Sequence, residues 1–341
     1  MLDYLVVGAG LYGATCARLL ADAGRRVMVI ERRPEVGGMC HTSKLDGQLY
    51  GTHGGHIFHT NSERIWNFVQ PFATWTPYTH YIKVSYKGRM YSFPPNMTTF
   101  EQFGIRHDAP EAENVIRKAF FEGYTAKQWG KPIDEVDPSV LKRIPMRTNA
   151  DERAYTDKFQ GLPAQGYTAM ITAMLDGVEV QTGVDYLADE EYWNAQAKEI
   201  IYTGALDEFY HYDGGTLSYR SLKFDVMPAS GAHFQGAATV NYTDIDVPYT
   251  RIMDWSYFWP TGRAQTVITV EYPAAMGEPY YPINNDENNR IHAAYMERVK
   301  KAGWIHIGGR LGAYRYWDMD QAIGAAMVMV DKLLGGKNDA D

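Results

Sequence analysis

LVVGAGLYGATCARLLADAGRRVMVIE, residues 5–31, decides the fold. LVVGAG is an apolar strand running into a glycine turn, LYGATCARLLADAG reads as a helix, and RRVMVIE is a second strand ending in an acid. Gly8, Gly10 and Gly13 form G-x-G-x-x-G directly after the strand and at the start of the helix. In such a turn the first glycine allows the tight bend. The second lets backbone approach a pyrophosphate, and the third lets the helix pack close to the strand. The helix start at Leu11 then directs unpaired N–H groups and a dipole at the phosphates. Glu31 falls about 20 residues on, where an acid bonds the ribose hydroxyls of an adenosine. The spacing predicts an α/β, Rossmann-like domain holding a dinucleotide; the alternative is a purely structural glycine turn.

The residues after Glu31 separate NAD from FAD. RRPEVGGMC, 32–40, sets Gly37 and Gly38 just past the acid. A second glycine pair there lets the chain fold back over a bound dinucleotide. This resembles the extension of FAD proteins of the glutathione reductase and amine oxidase type. WIHIGGRLGAYRYWDMDQAIGAAMVMV, 304–330, reads as a short strand, the glycine pair Gly308 and Gly309, and a helix opening near Asp318. Such a helix start suits the ribityl chain and flavin edge, where its dipole favours negative charge. Alone, that stretch is an ordinary C-terminal amphipathic helix. Joined to the N-terminal fingerprint, it predicts FAD. The candidate cofactor contacts here are Gly8, Gly10, Leu11, Gly13, Glu31, Arg32, Gly38, Met39, Gly309, Arg310, Asp318 and Met319.

A chain of 341 residues has room for a large core and suggests two or three domains. The formal net charge is −8, and no block of Lys or Arg is long enough to point to nucleic acid. An anionic substrate must then be held by a few local arginines against a repulsive overall field. Cys16 and Cys40 have neither metal-site nor disulfide spacing. Cys16 reads as a small packing residue of the first helix, and Cys40 falls near the cofactor. No metal is expected. No signal peptide precedes the first strand, and no apolar run approaches the ~20 residues of a membrane span. The expectation is a cytoplasmic protein that meets no membrane.

The chain divides by texture. Residues 1–77, 161–215 and 290–341 read as a discontinuous FAD-binding domain. Residues 78–97 and 216–289 read as an antiparallel sheet domain, with a hairpin over 78–96 that turns at Lys87-Gly88. Residues 98–160 read as a small inserted helical domain. Within it, EAENVIRKAFFEGYTAKQWG has helical spacing, DPSVLKRIP carries a helix start, and 147–160 is a polar surface loop. The last residues, GGKNDAD, look disordered.

Seven motifs make a resemblance specific. They are YGTHGGHIFHT (50–60), GYTAKQWG (123–130), KRIPMR (142–147), YRSLKF (219–224), VPYTR (247–251), EPYYP (278–282) and GGRLGAYRYWDMDQAI (308–323). In order and in span they resemble UDP-galactopyranose mutases of the prokaryotic type. The resemblance implies a non-redox interconversion of UDP-galactopyranose and UDP-galactofuranose on reduced FAD. In that family flavin N5 bonds the anomeric carbon and expels UDP, the sugar ring opens and recloses through its other hydroxyl, and UDP returns. It also implies NAD(P)H or another external reductant, and a product that feeds galactofuranose glycoconjugate synthesis. UDP-galactose and UDP-galactofuranose are the expected partners.

Residue roles follow from the same motifs. His56 and His59 sit in a glycine-flanked turn. Read alone, their spacing also fits one helix face or a metal site, but no carboxylate stands near them in sequence and Gly54 and Gly55 disfavour helix. In the family both are catalytic, the second beside the flavin, with His56 and Ile57 touching the cofactor. Phe120, Phe121, Tyr124, Gln128 and Trp129 have helical spacing that by itself reads as core. In the family motif they resemble the uracil and ribose pocket, where flat rings stack on a base. Arg147 resembles an arginine on a mobile loop that closes on the diphosphate, and Arg251 the second phosphate-binding arginine. Tyr281 and Tyr316 resemble tyrosines that bond the diphosphate beside the flavin. Arg220 and Asn241 match further positions lining the substrate site.

Departures from the family pattern carry their own expectations. Between residues 100–105 and GYTAKQWG the chain is shorter than typical bacterial members by roughly one or two helices. Those helices build the family's usual dimer, so an oligomer here would need another contact. Ala154 stands where the loop usually has an aromatic, which weakens uridine contacts from the loop or shifts them to Tyr155. Two other readings remain at this point. One is an FAD-dependent oxidase or desaturase of the amine oxidase type; the other is an inactive flavoprotein that binds a nucleotide sugar.

Overall fold

In the computed structural model, residues 1–136 and 146–335 are described. The helix start within DPSVLKRIP, most of KRIPMR and all but the first residue of GGKNDAD lie outside them.

The strand Leu2–Val7 is apolar along most of its length because both its faces are covered. It lies centrally in a five-stranded parallel sheet ordered Glu179–Thr182, Val27–Glu31, Leu2–Val7, Ala197–Tyr202, Ile305–Ile307. On one face the helix Leu11–Asp22 packs against Met319–Leu333, and Tyr167–Met174 joins them. Ala14, Ala17, Leu20, Met170, Ile323 and Ala326 share that core, and Cys16 is fully buried in it. The other face is closed by Trp193, Leu206, Tyr295 and Val299 over Leu5, Ile30 and Ile200. The helix Asp286–Ala302, capped by Asn285, begins four residues before 290, the point where the FAD-binding domain is expected to resume.

A second sheet of seven strands runs Tyr281–Pro282, Tyr219–Ser230, Gln265–Ala274, Arg251–Asp254, Thr239–Tyr242, Ile82–Tyr86, Arg89–Phe93. It is antiparallel with one exception: Thr239–Tyr242 runs parallel to Ile82–Tyr86. The hairpin over 82–93 turns at Lys87 and Gly88, both at positive φ, as a two-residue loop with matching twist requires. Its inner face carries the short helices. Val84, Tyr91, Phe93, Phe100, Ile116 and Phe120 form their shared core.

The helical spacing over 112–129 is met with one departure. Residues 117–122 form a π-helical turn between Ala112–Ile116 and Gly123–Trp129. Thr243 Oγ1 donates to Ala119 O inside that turn, at 2.7 Å, taking up a carbonyl that a regular helix would bond itself. The segment read as loop over 147–160 also differs. Its last residues begin a strand, Phe159–Pro163, which pairs with Phe58–Thr60 and Trp75–Pro77. This small sheet ties the loop to the histidine turn. Among the described residues no helix is long and apolar enough to cross a membrane.

Candidate active site

One elongated cleft opens along the carboxyl ends of the parallel strands and reaches the seven-stranded sheet. At one end lies the glycine turn. Gly8 has φ +108, and a Cβ there would sit 2.0 Å from Thr203 Oγ1. At Gly13 a Cβ would stand 2.0 Å from Gly8 O, so helix and strand touch backbone to backbone. Gly10 differs: its φ is −75 and a Cβ would meet nothing nearer than Gly38 Cα at 3.8 Å. Among the described residues no neighbour excludes a side chain at Gly10, so the space beside it is open to a ligand. The helix Leu11–Asp22 has no side-chain cap and no acid in its first turn, so its amino end is left for an anion. Gly37 N donates to Ala9 O, and Gly38 approaches Gly10 so closely that a Cβ would lie 2.9 Å from its Cα. The second glycine pair therefore folds back directly onto the first. This cradle fits a dinucleotide pyrophosphate.

Glu31 is 7% exposed and lines the same cleft. Its Oε2 accepts from Ala9 N at 2.8 Å and its Oε1 from Arg33 N at 2.9 Å. The acid thus also braces the glycine turn, a second task its position in the motif does not reveal. Arg32 pairs with Glu208, at 3.3 Å, and Arg33 with Glu278. Leu11, Met39, Cys40, Ile57, Gly309, Arg310, Asp318 and Met319 line the walls. Burial pushes the Cys40 thiol up to about 12. Asp318 opens the helix Met319–Leu333, and its N–H donates to Gln321 Oε1 at 3.0 Å.

At the other end the histidine turn meets the second sheet. His56 Nδ1 lies 3.1 Å from Gly54 O, and burial, with Arg310 next, pushes its imidazole down to about 4. His56 is therefore neutral, with Nε2 as an acceptor. His59 Nδ1 stands 2.8 Å from Asp157 Oδ2, and the Tyr155 ring stacks on it at 3.8 Å between centroids. The sequence places no carboxylate near these histidines; the fold brings Asp157 there from the loop. Tyr155 is accordingly half-buried over the site rather than on an open surface loop.

Arg251 is the cation of this end. Strand pairing sets it between Asn241 on one neighbour and Glu271 on the other. Its Nε donates to Asn241 Oδ1 at 3.1 Å, its Nη2 to Tyr124 Oη at 3.0 Å, and its Nη1 lies 3.6 Å from Glu271 Oε2. Burial alone would lower its pKa, but Glu271 and the surrounding phenols hold it charged, well above the usual range. Tyr281 and Tyr316 stack at 5.5 Å beside it, and Arg310 lies 4.5 Å over the Tyr316 ring. Glu271 was not among the sequence candidates. A carboxylate inside the apolar run VITVEYP is the signal that could have found it, since a buried charge needs a partner.

The candidates do not all reach the cleft. Arg147 is outside it: its Nη1 donates to the carbonyls of Asp151 and Arg153 at 2.8 and 2.7 Å. Phe120 is 2% exposed within the helical core, packed on Tyr91, Phe93 and Phe103, and Phe121 packs against that core. Arg220 donates to Gln128 O and Lys127 O, capping the last turn of Gly123–Trp129. Trp129 stands 6.3 Å from Tyr281. Gln128 Oε1 is buried with no hydrogen-bond partner among the described residues, which is the mark of a polar group awaiting one.

With this geometry in view, similarity to known proteins is informative. A family model described as UDP-galactopyranose mutase matches residues 119–316, and one described as an NAD(P)-binding Rossmann-like domain matches 6–72. A probable UDP-galactopyranose mutase of Klebsiella pneumoniae is 36% identical, over 97% of this chain and 94% of its own length. A dTDP-fucopyranose mutase of Escherichia coli is 35% identical, over 96% and 97%. Among solved structures, a reduced UDP-galactopyranose mutase superposes with a TM-score of 0.76 at 15% identity, covering 99% of this chain and 97% of the other. Putrescine oxidase superposes at 0.57 and 14% identity, over 98% and 99%, a likeness of fold alone.

Proposed function

The chain belongs to the UDP-galactopyranose mutase family, and from that premise we propose that it interconverts UDP-galactopyranose and UDP-galactofuranose on reduced FAD. The observation that carries the reading is Arg251, a charged guanidinium bonded to Asn241 and Tyr124 in the cleft that the glycine cradle opens. An amine oxidase needs no such cation amid phenols. FAD fits the cradle: Gly8, Gly10, Leu11, Gly13 and Gly38 would hold the pyrophosphate, Glu31 and Arg32 the adenosine end, and Met39, His56, Ile57, Gly309, Arg310, Asp318 and Met319 the flavin half. FAD held there and reduced by NAD(P)H or another external reductant would supply a nucleophilic ring nitrogen.

The protein's own groups hold the parts in place. Arg251 keeps the departed diphosphate close, with Tyr281 and Tyr316 donating their hydroxyls to it. Arg147 supplies a second charge once its bonds to the Asp151 and Arg153 carbonyls break. Tyr155, Trp129 and Gln128 take the base and ribose, and neutral His56 offers an acceptor without repelling Arg310. Returning UDP then finds the sugar in the same enclosure, where recombination is effectively unimolecular. The product is a precursor for galactofuranose glycoconjugates.

The test is direct. Dithionite-reduced protein converts UDP-galactofuranose to UDP-galactopyranose, followed by chromatography, and the oxidised protein does not. Equal rates in both states sink the reading. The 35% identity to a dTDP-fucopyranose mutase favours a second substrate, a dTDP-6-deoxyhexose. Running dTDP-fucofuranose beside UDP-galactofuranose ranks the two by kcat/KM.

A further inference from the structure

His59 and Asp157 meet from positions 98 residues apart. Asp157 Oδ2 lies 2.8 Å from His59 Nδ1, while Asp157 Oδ1 accepts from Asn61 Nδ2. The orientation of Asn61 is set independently, because its Oδ1 accepts the Lys158 N–H at 2.9 Å. Tyr155 covers one face of the imidazole, at an interplanar angle of 16°. The His59 side chain is 13% exposed and lines the cleft. A carboxylate accepts only, so the ring nitrogen facing Asp157 carries a proton. The other, Nε2, is left for the cleft.

We propose that Asp157 is a positioning residue: it keeps the His59 proton on Nδ1 so that Nε2 alone exchanges protons with the sugar. The inference rests on the mutase reading above. Ring interchange needs one proton given and one taken. As the ring opens, the bond between ring oxygen and anomeric carbon breaks with its electron pair on oxygen, the deficit at carbon being met by the lone pair that bound reduced FAD would supply, and protonated His59 gives its Nε2 proton to that oxygen. Neutral His59 is then left with its remaining proton on Nδ1, facing Asp157. As the new ring closes, a lone pair of the other hydroxyl oxygen bonds the anomeric carbon, and its proton passes to Nε2. His59 ends protonated as it began. The role of Asp157 is that of an acid orienting a histidine for its task.

Asp157→Asn makes the sharp test. Asn61 still presents its amide nitrogen, so the new side chain turns its oxygen to Asn61 and its NH2 to His59. Nδ1 must then accept, and neutral His59 carries its proton on Nε2. We expect kcat to fall about 100-fold or more with KM within about threefold. Asp157→Ala, which leaves both tautomers open, loses only about tenfold. Flavin content and melting temperature check that both variants fold. Nitrogen-15 NMR of oxidised, FAD-loaded protein, assigned by His59→Gln, reads the tautomer without turnover: neutral His59 carries its proton on Nδ1 in the wild type and on Nε2 in Asp157→Asn. A wild-type proton on Nε2, an alanine variant slower than the asparagine one, or an undiminished kcat in Asp157→Asn each overturns the proposal. If reduced wild-type protein turns over neither nucleotide sugar, the mutase reading falls, while the tautomer spectra still rule on Asp157.

Discussion

Arg251 shows how much one side chain depends on its neighbours. Three directions of its guanidinium are already taken by Asn241, Tyr124 and Glu271. Lysine offers no planar fork and reaches these groups one at a time. Arg251→Lys and Arg251→Ala should therefore both lower kcat/KM by about 100-fold, since a diphosphate loses its buried partner. Steady-state kinetics with reduced protein checks this, and a lysine variant within about threefold of wild type contradicts it. The glycine turn gives a second contrast. Gly13→Ala drives a Cβ into Gly8 O and should abolish copurifying flavin together with stability. Gly10→Ala meets only an ordinary contact with Gly38 Cα at 3.8 Å, so the empty protein should melt unchanged while its flavin affinity falls. Equal melting losses in the two variants would deny that Gly10 serves the ligand. Both glycines were legible as sequence because one motif fixes their tasks. Asp157 was not, because it lies in a loop 98 residues from its partner on the strand Phe58–Thr60 and no local spacing joins them.

Periodicity speaks for elements but not for their irregularities. The alternation over 78–96 became a hairpin and the apolar run LVVGAG a buried strand, because each pattern answers to one dominant contact. The spacing over 112–129 correctly implied helix but hid the π-helical turn, whose Ala119 carbonyl is bonded by Thr243, just past the strand Thr239–Tyr242. It also grouped Phe120 with Tyr124, which the fold sends to different places: one into the helical core, the other to Arg251. Thr243→Val keeps the shape and removes the donor to Ala119 O. It should cost about 1–2 kcal/mol in urea unfolding and raise KM for the nucleotide sugar as Gly123–Trp129 shifts. An unchanged unfolding midpoint and KM would show that the turn holds without it.

Across the whole molecule, three histidines have lost basicity: His53 and His56 line the cleft half-buried, and His80 is buried beside Tyr155. His53 and His56 are pushed down to about 4 and His80 to about 3, in each case chiefly by burial. The unfolded chain binds these protons near pH 6.5, and the folded protein only below about 4. Stability is thus complete above about pH 6.5 and is lost as pH falls from there towards 4. The slope reaches at most about 1.4 kcal/mol per pH unit for a buried ring such as His80, and is smaller for the half-buried His53 and His56. Urea midpoints measured between pH 7 and 4.5 should drop steadily; a flat profile over that window contradicts it. The acids Asp3 and Asp151 are held well below their ordinary range by Arg26 and Arg153, so their contribution is lost only as pH falls towards and below the unfolded carboxylate range, at the acid edge of that window.

The helices Leu11–Asp22 and Met319–Leu333 pack on each other, yet roughly 300 residues separate them along the chain. A ribosome adding about 5–20 residues per second needs roughly 15 to 60 s to cross that distance. For that interval the nascent glycine turn waits without its covering wall, exposed to chaperones. Prosthetic-group loading therefore belongs to the end of synthesis, and riboflavin starvation should leave full-length polypeptide that proteases attack rather than short truncated chains.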